Sequence, residues 1–208
     1  MTGSRLWKSL LVWTFVGAMI LVPGLMAQER AWQLSAGAGQ TWFSGGMIDT
    51  TSADLSYTLS PTVTWAVTAD HTVGDFRLGI GLSYLSANFM LRGPDVELVD
   101  RTLDVREWGI SALVTVQVLR VGKGGAGFSL SAGPALGLWT ITGLDSRTTI
   151  GGIAALQFAA PISESWRLVA SGGGSVSESP FEATDLPAEF EPSTLWGGQV
   201  GLGVQYAF

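Results

Sequence analysis

The feature that most constrains this chain is an alternation of large apolar residues with small or polar ones. It is clearest over residues 195–208, LWGGQVGLGVQYAF. Only an extended strand places alternate residues on opposite faces, because a helix repeats every 3.6 residues. From Trp196 onward the large apolar residues of this segment occupy even positions: Trp196, Val200, Leu202, Val204, Tyr206 and Phe208.

Seven earlier segments repeat the pattern, so the chain is expected to form eight strands. Short turns, DHTVGD, GKGGAG and PISES, alternate with longer links at residues 44–54, 89–104 and 177–193 and an intermediate one near GLDSRT. Such alternation predicts an antiparallel up-and-down meander with the long loops at one end. The seven segments are AWQLSAGAGQTWF, LSYTLSPTVTWAVT, FRLGIGLSY, WGISALVTVQV, FSLSAGPALGL, IGGIAALQFA and WRLVASGGGSV.

The polar faces of the strands decide where the apolar faces point. They consist mainly of Gly, Ser, Thr, Ala and Gln, and charged residues make up 13% of the chain, against roughly 25% in soluble proteins. The acidic residues fall mostly at the long-loop end, and aromatic residues lie near both strand ends. The sequence therefore predicts an all-β fold, an eight-stranded antiparallel up-and-down transmembrane β-barrel with its apolar face toward lipid. A soluble secreted ligand-binding barrel is the alternative.

The first 30 residues have the pattern of an export signal. Arg5 and Lys8 precede an apolar run, and a small residue, Ala27, follows its break at Pro23 and Gly24. A membrane anchor is the alternative, but the run ends before the roughly 20 residues that a spanning helix needs. We therefore expect a cleavable signal peptide helix over residues 1–27 and an outer-membrane barrel over residues 28–208.

The formal charge of the chain is −6, which makes nucleic acid an improbable partner. The chain has no cysteine, which excludes disulfides and thiolate metal sites.

With its signal segment, eight alternating strands and terminal GQVGLGVQYAF, the chain resembles the small eight-stranded outer-membrane barrels of the outer-membrane protein A, protein X and opacity-protein type. The resemblance implies a porin-like surface protein in the outer membrane of a Gram-negative-type bacterium, in contact with lipid and lipopolysaccharide. It also implies an assembly signal read by the outer-membrane assembly machinery, formed by Leu202, Val204, Tyr206 and Phe208. The function is less specific, because such barrels include adhesins, pores, anchors and a few enzymes.

Six polar residues are predicted to point into the barrel. Eight strands enclose little more room than their side chains fill, so the interior is expected to be plugged or very narrow. The many inward Gly, Ser and Ala residues weaken that expectation because they fill little volume. The six lumen candidates are Arg77, Glu107, Gln117, Gln157, Arg167 and Gln205.

The last long loop is acidic, and its prolines favour an extended, solvated segment. Carboxylates of this kind could hold Ca²⁺, but their spacing matches no known ligand loop. We therefore expect neither a metal nor a cofactor. The acidic residues are Glu178, Glu182, Asp185, Glu189 and Glu191.

An enzymatic role is the least favoured reading. The lipid A deacylases and palmitoyltransferases resemble this chain in strand number and use a Ser with a His at the outer rim. The only histidine, His71, falls in a predicted short periplasmic turn, at the wrong end. The sequence favours a non-enzymatic surface protein with acidic outer loops, and the alternative is a narrow diffusion pore with weak cation preference.

Deleting Phe208 should reduce membrane assembly far more than its share of buried area suggests, because by resemblance the terminal aromatic residue belongs to the assembly signal. The measurement is the amount of heat-modifiable protein in the outer-membrane fraction. Normal insertion of the deletion variant would contradict the signal role.

Overall fold

The computed structural model describes residues 31–50, 56–93, 97–121, 125–182, 184 and 189–208. The segment predicted as a signal peptide, residues 1–27, lies outside the described residues. Within the described part, no helix is long and apolar enough to cross a membrane.

Nine strand segments form one closed antiparallel sheet. Segments adjacent along the chain pair with each other, except the second and third, and the last strand pairs with the first, from Gln33 opposite Ala207 to Asp49 opposite Phe190. The second and third segments each pair with both the first and the fourth, so they are two parts of one barrel strand. The predicted eight-stranded barrel is thus confirmed. The segments are β1 (Trp32–Asp49), β2 (Ser56–Leu59), β3 (Thr62–Val73), β4 (Phe76–Arg92), β5 (Glu97–Val121), β6 (Ala126–Ile141), β7 (Arg147–Pro161), β8 (Trp166–Ser177) and β9 (Phe190–Ala207).

The second barrel strand is interrupted at Ser60 and Pro61, where the sequence predicted one continuous strand. Proline has no N–H to donate to a neighbouring strand, which accounts for the break. Ser60 bridges it: its N–H donates to the carbonyl of Asn88 at 2.8 Å, and its Oγ accepts from the N–H of Asn88 at 3.1 Å.

At the long-loop end the strands continue through much of the predicted loops. β1 extends to Asp49, and β5 already begins at Glu97. The predicted loop bounds of 44–54, 89–104 and 177–193 were therefore wrong. The strands continue because inward residues of the extension, such as Met47, Phe89 and Val105, are buried in an apolar core. Register shifts mark the transition, one of them at Gly45, whose φ of 78° suits glycine.

The apolar face of the strands points outward. Trp65 is 62% exposed and Leu202 65% exposed, as expected for side chains that meet lipid rather than water. Ten residue positions separate Trp32 from Trp42, which matches the 9–11 residues of a tilted transmembrane strand. A soluble barrel would bury this face, so the exterior argues against that alternative.

At some glycines of the inner wall an added Cβ would displace the neighbouring backbone. A Cβ added to Gly203 would lie 2.6 Å from the carbonyl oxygen of Ala36 and 3.0 Å from the Cα of Gly37. Gly198, on the same strand, has nothing within 4 Å of such a Cβ. The two positions therefore separate crowding from the intrinsic effect of replacing a strand glycine.

Gly203→Ala should lower the free energy of unfolding of the barrel by about 1–3 kcal/mol, the usual cost of overpacking. Denaturant unfolding of the folded protein in lipid vesicles measures the change. Gly198→Ala is the matched control and should be neutral or slightly stabilising. Equal effects of the two variants would refute the crowding of Gly203.

Candidate functional site

The barrel interior is the candidate site, and it divides into three zones along the barrel axis. The long-loop mouth is filled by apolar side chains, the middle is lined by small residues, and the short-turn mouth opens into a polar cavity. One continuous wall lines all three zones, because every strand contributes inward residues at each level of the barrel.

The first zone is an apolar plug at the long-loop mouth. Leu59 and Val105 are fully buried in it. Trp139 is buried as well, and its indole Nε1 donates to the Oγ1 of Thr149 at 2.9 Å, which satisfies the polar group. The plug consists of Phe43, Met47, Leu59, Leu85, Ala87, Phe89, Val105, Trp139, Ile141, Phe181 and Leu195.

Phe181 reaches the plug from the link between β8 and β9. Its ring centroid lies 5.1 Å from that of Phe89. The Oγ of Ser179 ties this link to the barrel by donating to the carbonyl of Gly46 at 2.8 Å. The described start of this link, which includes Ser179 and Phe181, therefore packs against the long-loop mouth, whereas the sequence predicted an extended, solvated segment.

Where the structure describes them, the predicted acidic loop residues do not converge on one point. Glu182 forms an ion pair of 3.0 Å with Arg147, the first residue of β7. Glu178 lies near the N–H of Ile150, and Glu191 is part of β9. Asp185 lies outside the described residues. No group of three or more metal-ligating side chains occurs in the described part of the chain.

Two further carboxylates add negative charge at the long-loop mouth. The side chain and the backbone N–H of Thr102 both donate to Asp100, and these hydrogen bonds lower the pKa of Asp100. A hydrogen bond from the Oγ of Ser86 at 2.9 Å lowers the pKa of Asp104, and Arg106 adds to the effect. Both carboxylates therefore stay ionised at pH values below the usual pKa range of aspartate.

The middle of the lumen is narrow and closely packed. Hydroxyl groups pair across neighbouring strands, with Thr41 and Thr64 joined at 2.7 Å and Thr115 and Ser131 at 2.8 Å. Two small cavities of about 90 and 50 Å³ lie among Gly, Ser and Ala residues of the wall. The middle zone offers little room for a solute.

The third zone is a cavity of about 530 Å³ at the short-turn mouth. Arg77 donates a hydrogen bond to the Oε1 of Gln33 inside it. Arg120 lies at its rim and donates to Gln117 at 3.1 Å. Five of the six predicted lumen residues line this cavity, namely Arg77, Gln117, Gln157, Arg167 and Gln205.

Glu107, the sixth predicted lumen residue, lies apart from this cavity. It is next to the plug, paired in register with Leu85 on one side and Trp139 on the other. The structure therefore separates Glu107 from Arg77 and Arg167. The sequence alone did not pair these charges.

Sequence reasoning missed two interior residues, Gln33 and Asp70. Gln33 has the parity of the inward face, opposite to Trp32, so the alternation itself could have identified it. Asp70 and His71 were assigned to a turn, but β3 continues to Val73 and includes both. Asp70 points inward and is 6% exposed, while the ring of His71 lies 4.6 Å from that of Trp32.

The residues of the predicted assembly signal form the end of the closing strand. Leu202 and Val204 are exposed on the outer face. The ring of Tyr206 lies 4.9 Å from that of Trp166 and 5.7 Å from that of Phe208. Phe208 also donates its N–H to the carbonyl of Trp32 at 3.0 Å, so the strand is tied to β1 at its end.

Comparison with known proteins gives a fold but no family. No family model matches the sequence, and no curated protein matches it. The structure matches Neisserial surface protein A with a TM-score of 0.56 and 13% identity, over 85% of this chain and 97% of that one. It also matches the outer membrane protein OprG from Pseudomonas aeruginosa with a TM-score of 0.55 and 9% identity, over 86% of this chain and 96% of that one.

The fold is that of a small outer-membrane β-barrel. The predicted resemblance is therefore confirmed as a matter of architecture. A closed barrel with an apolar exterior is built for a lipid bilayer, and one of the two matched proteins is an outer membrane protein. This architecture fits the outer-membrane location that the sequence favours.

Leu85→Ala should lower the free energy of unfolding by about 2–5 kcal/mol, because Leu85 is buried in the plug and its removal leaves a cavity. Leu78, on the same strand, is half exposed toward lipid, and lipid can fill the space that Leu78→Ala vacates. Denaturant unfolding in vesicles compares the two variants. If the plug were not packed in the vesicle-embedded protein, Leu85→Ala and Leu78→Ala would lower the free energy of unfolding equally.

Proposed function

We propose that this chain is a non-enzymatic surface protein of the outer membrane, with a structural or surface-interaction role. The observation that carries the proposal is the apolar plug, which fills the lumen at the long-loop mouth and includes Phe181 from the described start of the link between β8 and β9. A barrel closed in this way supports a surface-presenting role better than passage of solutes.

The surface presented by this barrel is acidic. In the proposed orientation the long-loop mouth faces the exterior and the short turns face the periplasm. Asp100 and Asp104, with their lowered pKa values, and Glu178 would then face the medium. Such a surface favours basic partners or anionic lipopolysaccharide bridged by cations. We further propose that the assembly machinery reads the terminal strand that ends at Phe208.

The position of His71 supports the non-enzymatic reading. Its ring packs against Trp32 on the outer face near the short turns. A histidine that acts on lipid A would have to lie at the opposite, outer rim with a serine beside it. The environment of His71 is instead that of an interfacial aromatic cluster.

A narrow pore with weak cation preference is the second candidate function. The cavity of about 530 Å³ and the two smaller cavities along the lumen favour it, as do the carboxylates at the long-loop mouth. Conduction would require the plug to move, and in particular Phe181 to leave its contact with Phe89.

In planar bilayers, the native protein should give no reproducible conductance steps. Combined truncation of Phe89→Ala and Phe181→Ala should produce small steps, because it removes both rings from the plug. Replacing Glu178, Glu182, Glu189 and Glu191 by Gln in the native background is the control for the acidic loop and should leave the bilayer silent. Steps from the native protein that lose cation preference in the Gln variant would favour the pore.

A further inference from the structure

Arg77, Arg120 and Arg167 line the cavity at the short-turn mouth, and Asp75 is the carboxylate among its lining residues. Arg77 and Arg167 both line it, and their charges lie close enough to repel each other. Asp70 attracts Arg77, which also donates to Gln33. Arg167 has no such partner: in the described part of the chain, no carboxylate forms an ion pair with it.

The fold holds Arg167 in this position. It lies on β8 opposite Gln205 of β9, with Pro161 of β7 opposite on its other side. Its side chain points into the barrel and lines the cavity at the short-turn mouth. Two like charges in one confined space are unfavourable, and an anion between Arg77 and Arg167 would offset their repulsion.

Gln205 provides a second, independent indication of a ligand. It is 3% exposed and lines the same cavity. Its Nε2 donates to the Oγ of Ser35 at 3.3 Å, but its Oε1 is buried without a hydrogen-bond partner. A buried acceptor without a donor is costly, so a group that donates a hydrogen bond is the complement of Gln205.

We propose that this cavity binds a small organic anion that carries a carboxylate together with hydroxyl groups. The carboxylate lies between Arg77 and Arg167, because guanidinium groups bind carboxylates with paired hydrogen bonds. A hydroxyl donates to the Oε1 of Gln205. The cavity of about 530 Å³ is within the range of about 300–1,000 Å³ that small-molecule sites occupy. The ligand enters by the short-turn mouth, since the plug fills the other end.

Three molecules of similar size and different charge test this proposal: gluconate, glucose and glucosamine. Calorimetry on the folded protein in a zwitterionic detergent should detect binding of gluconate and neither of the other two at millimolar concentration. Backbone amide shifts in the NMR spectrum should change around Gln33 and Gln205 and not at the long-loop mouth. Equal behaviour of the three molecules, or shifts confined to the long-loop mouth, would overturn the proposal.

Arginine variants then identify the residues that hold the anion. Arg167→Gln and Arg77→Gln should each weaken gluconate binding by about tenfold or more, because each removes charge-assisted hydrogen bonds. Arg167→Lys keeps the charge and should retain part of the affinity. Arg106→Gln is the matched control, since Arg106 is exposed at the opposite mouth. Heat-modifiable mobility confirms that each variant is folded, and gluconate binding unchanged in folded Arg167→Gln would refute the site.

Discussion

Closure of the sheet between β1 and β9 is the constraint on which the rest of the structure depends. Lipid cannot hydrogen-bond to the backbone, so a spanning sheet must leave no open edge. The seam from Gln33 and Ala207 to Asp49 and Phe190 satisfies both edges at once. Once the ring is closed, alternate residues of each strand face lipid or the lumen. The large apolar residues then face lipid, and the small residues face the lumen.

The small circumference of the ring explains the three zones of its interior. In the middle, inward side chains would meet the neighbouring strand, as the crowding at Gly203 illustrates, so small residues and hydroxyl pairs line this zone. Beyond the outer aromatic residues the interior is filled by an apolar plug, which gives the extended strands a core of their own. At the short-turn mouth, arginines and glutamines leave a polar cavity instead.

The alternation of residues predicted the barrel, its outward apolar face and the inward position of Arg77, Arg167 and Gln205, because a period of two fixes the face of a side chain. It could not predict the plug. Phe89 lies in a segment that turn residues and charges made resemble a loop, and its ring packs against that of Phe181, more than 90 positions away. Contacts between residues so distant in sequence leave no periodic signal.

The plug and the cavity have joint consequences for function. A cavity open only at the short-turn mouth holds a solute without passing it on, because the narrow middle and the buried rings of Phe89 and Phe181 lie beyond it. An arginine-lined cavity also favours anions, whereas the carboxylates at the long-loop mouth favour cations. The opposite charge preferences of the two mouths fit two separate binding surfaces on one closed barrel better than a single conduction path.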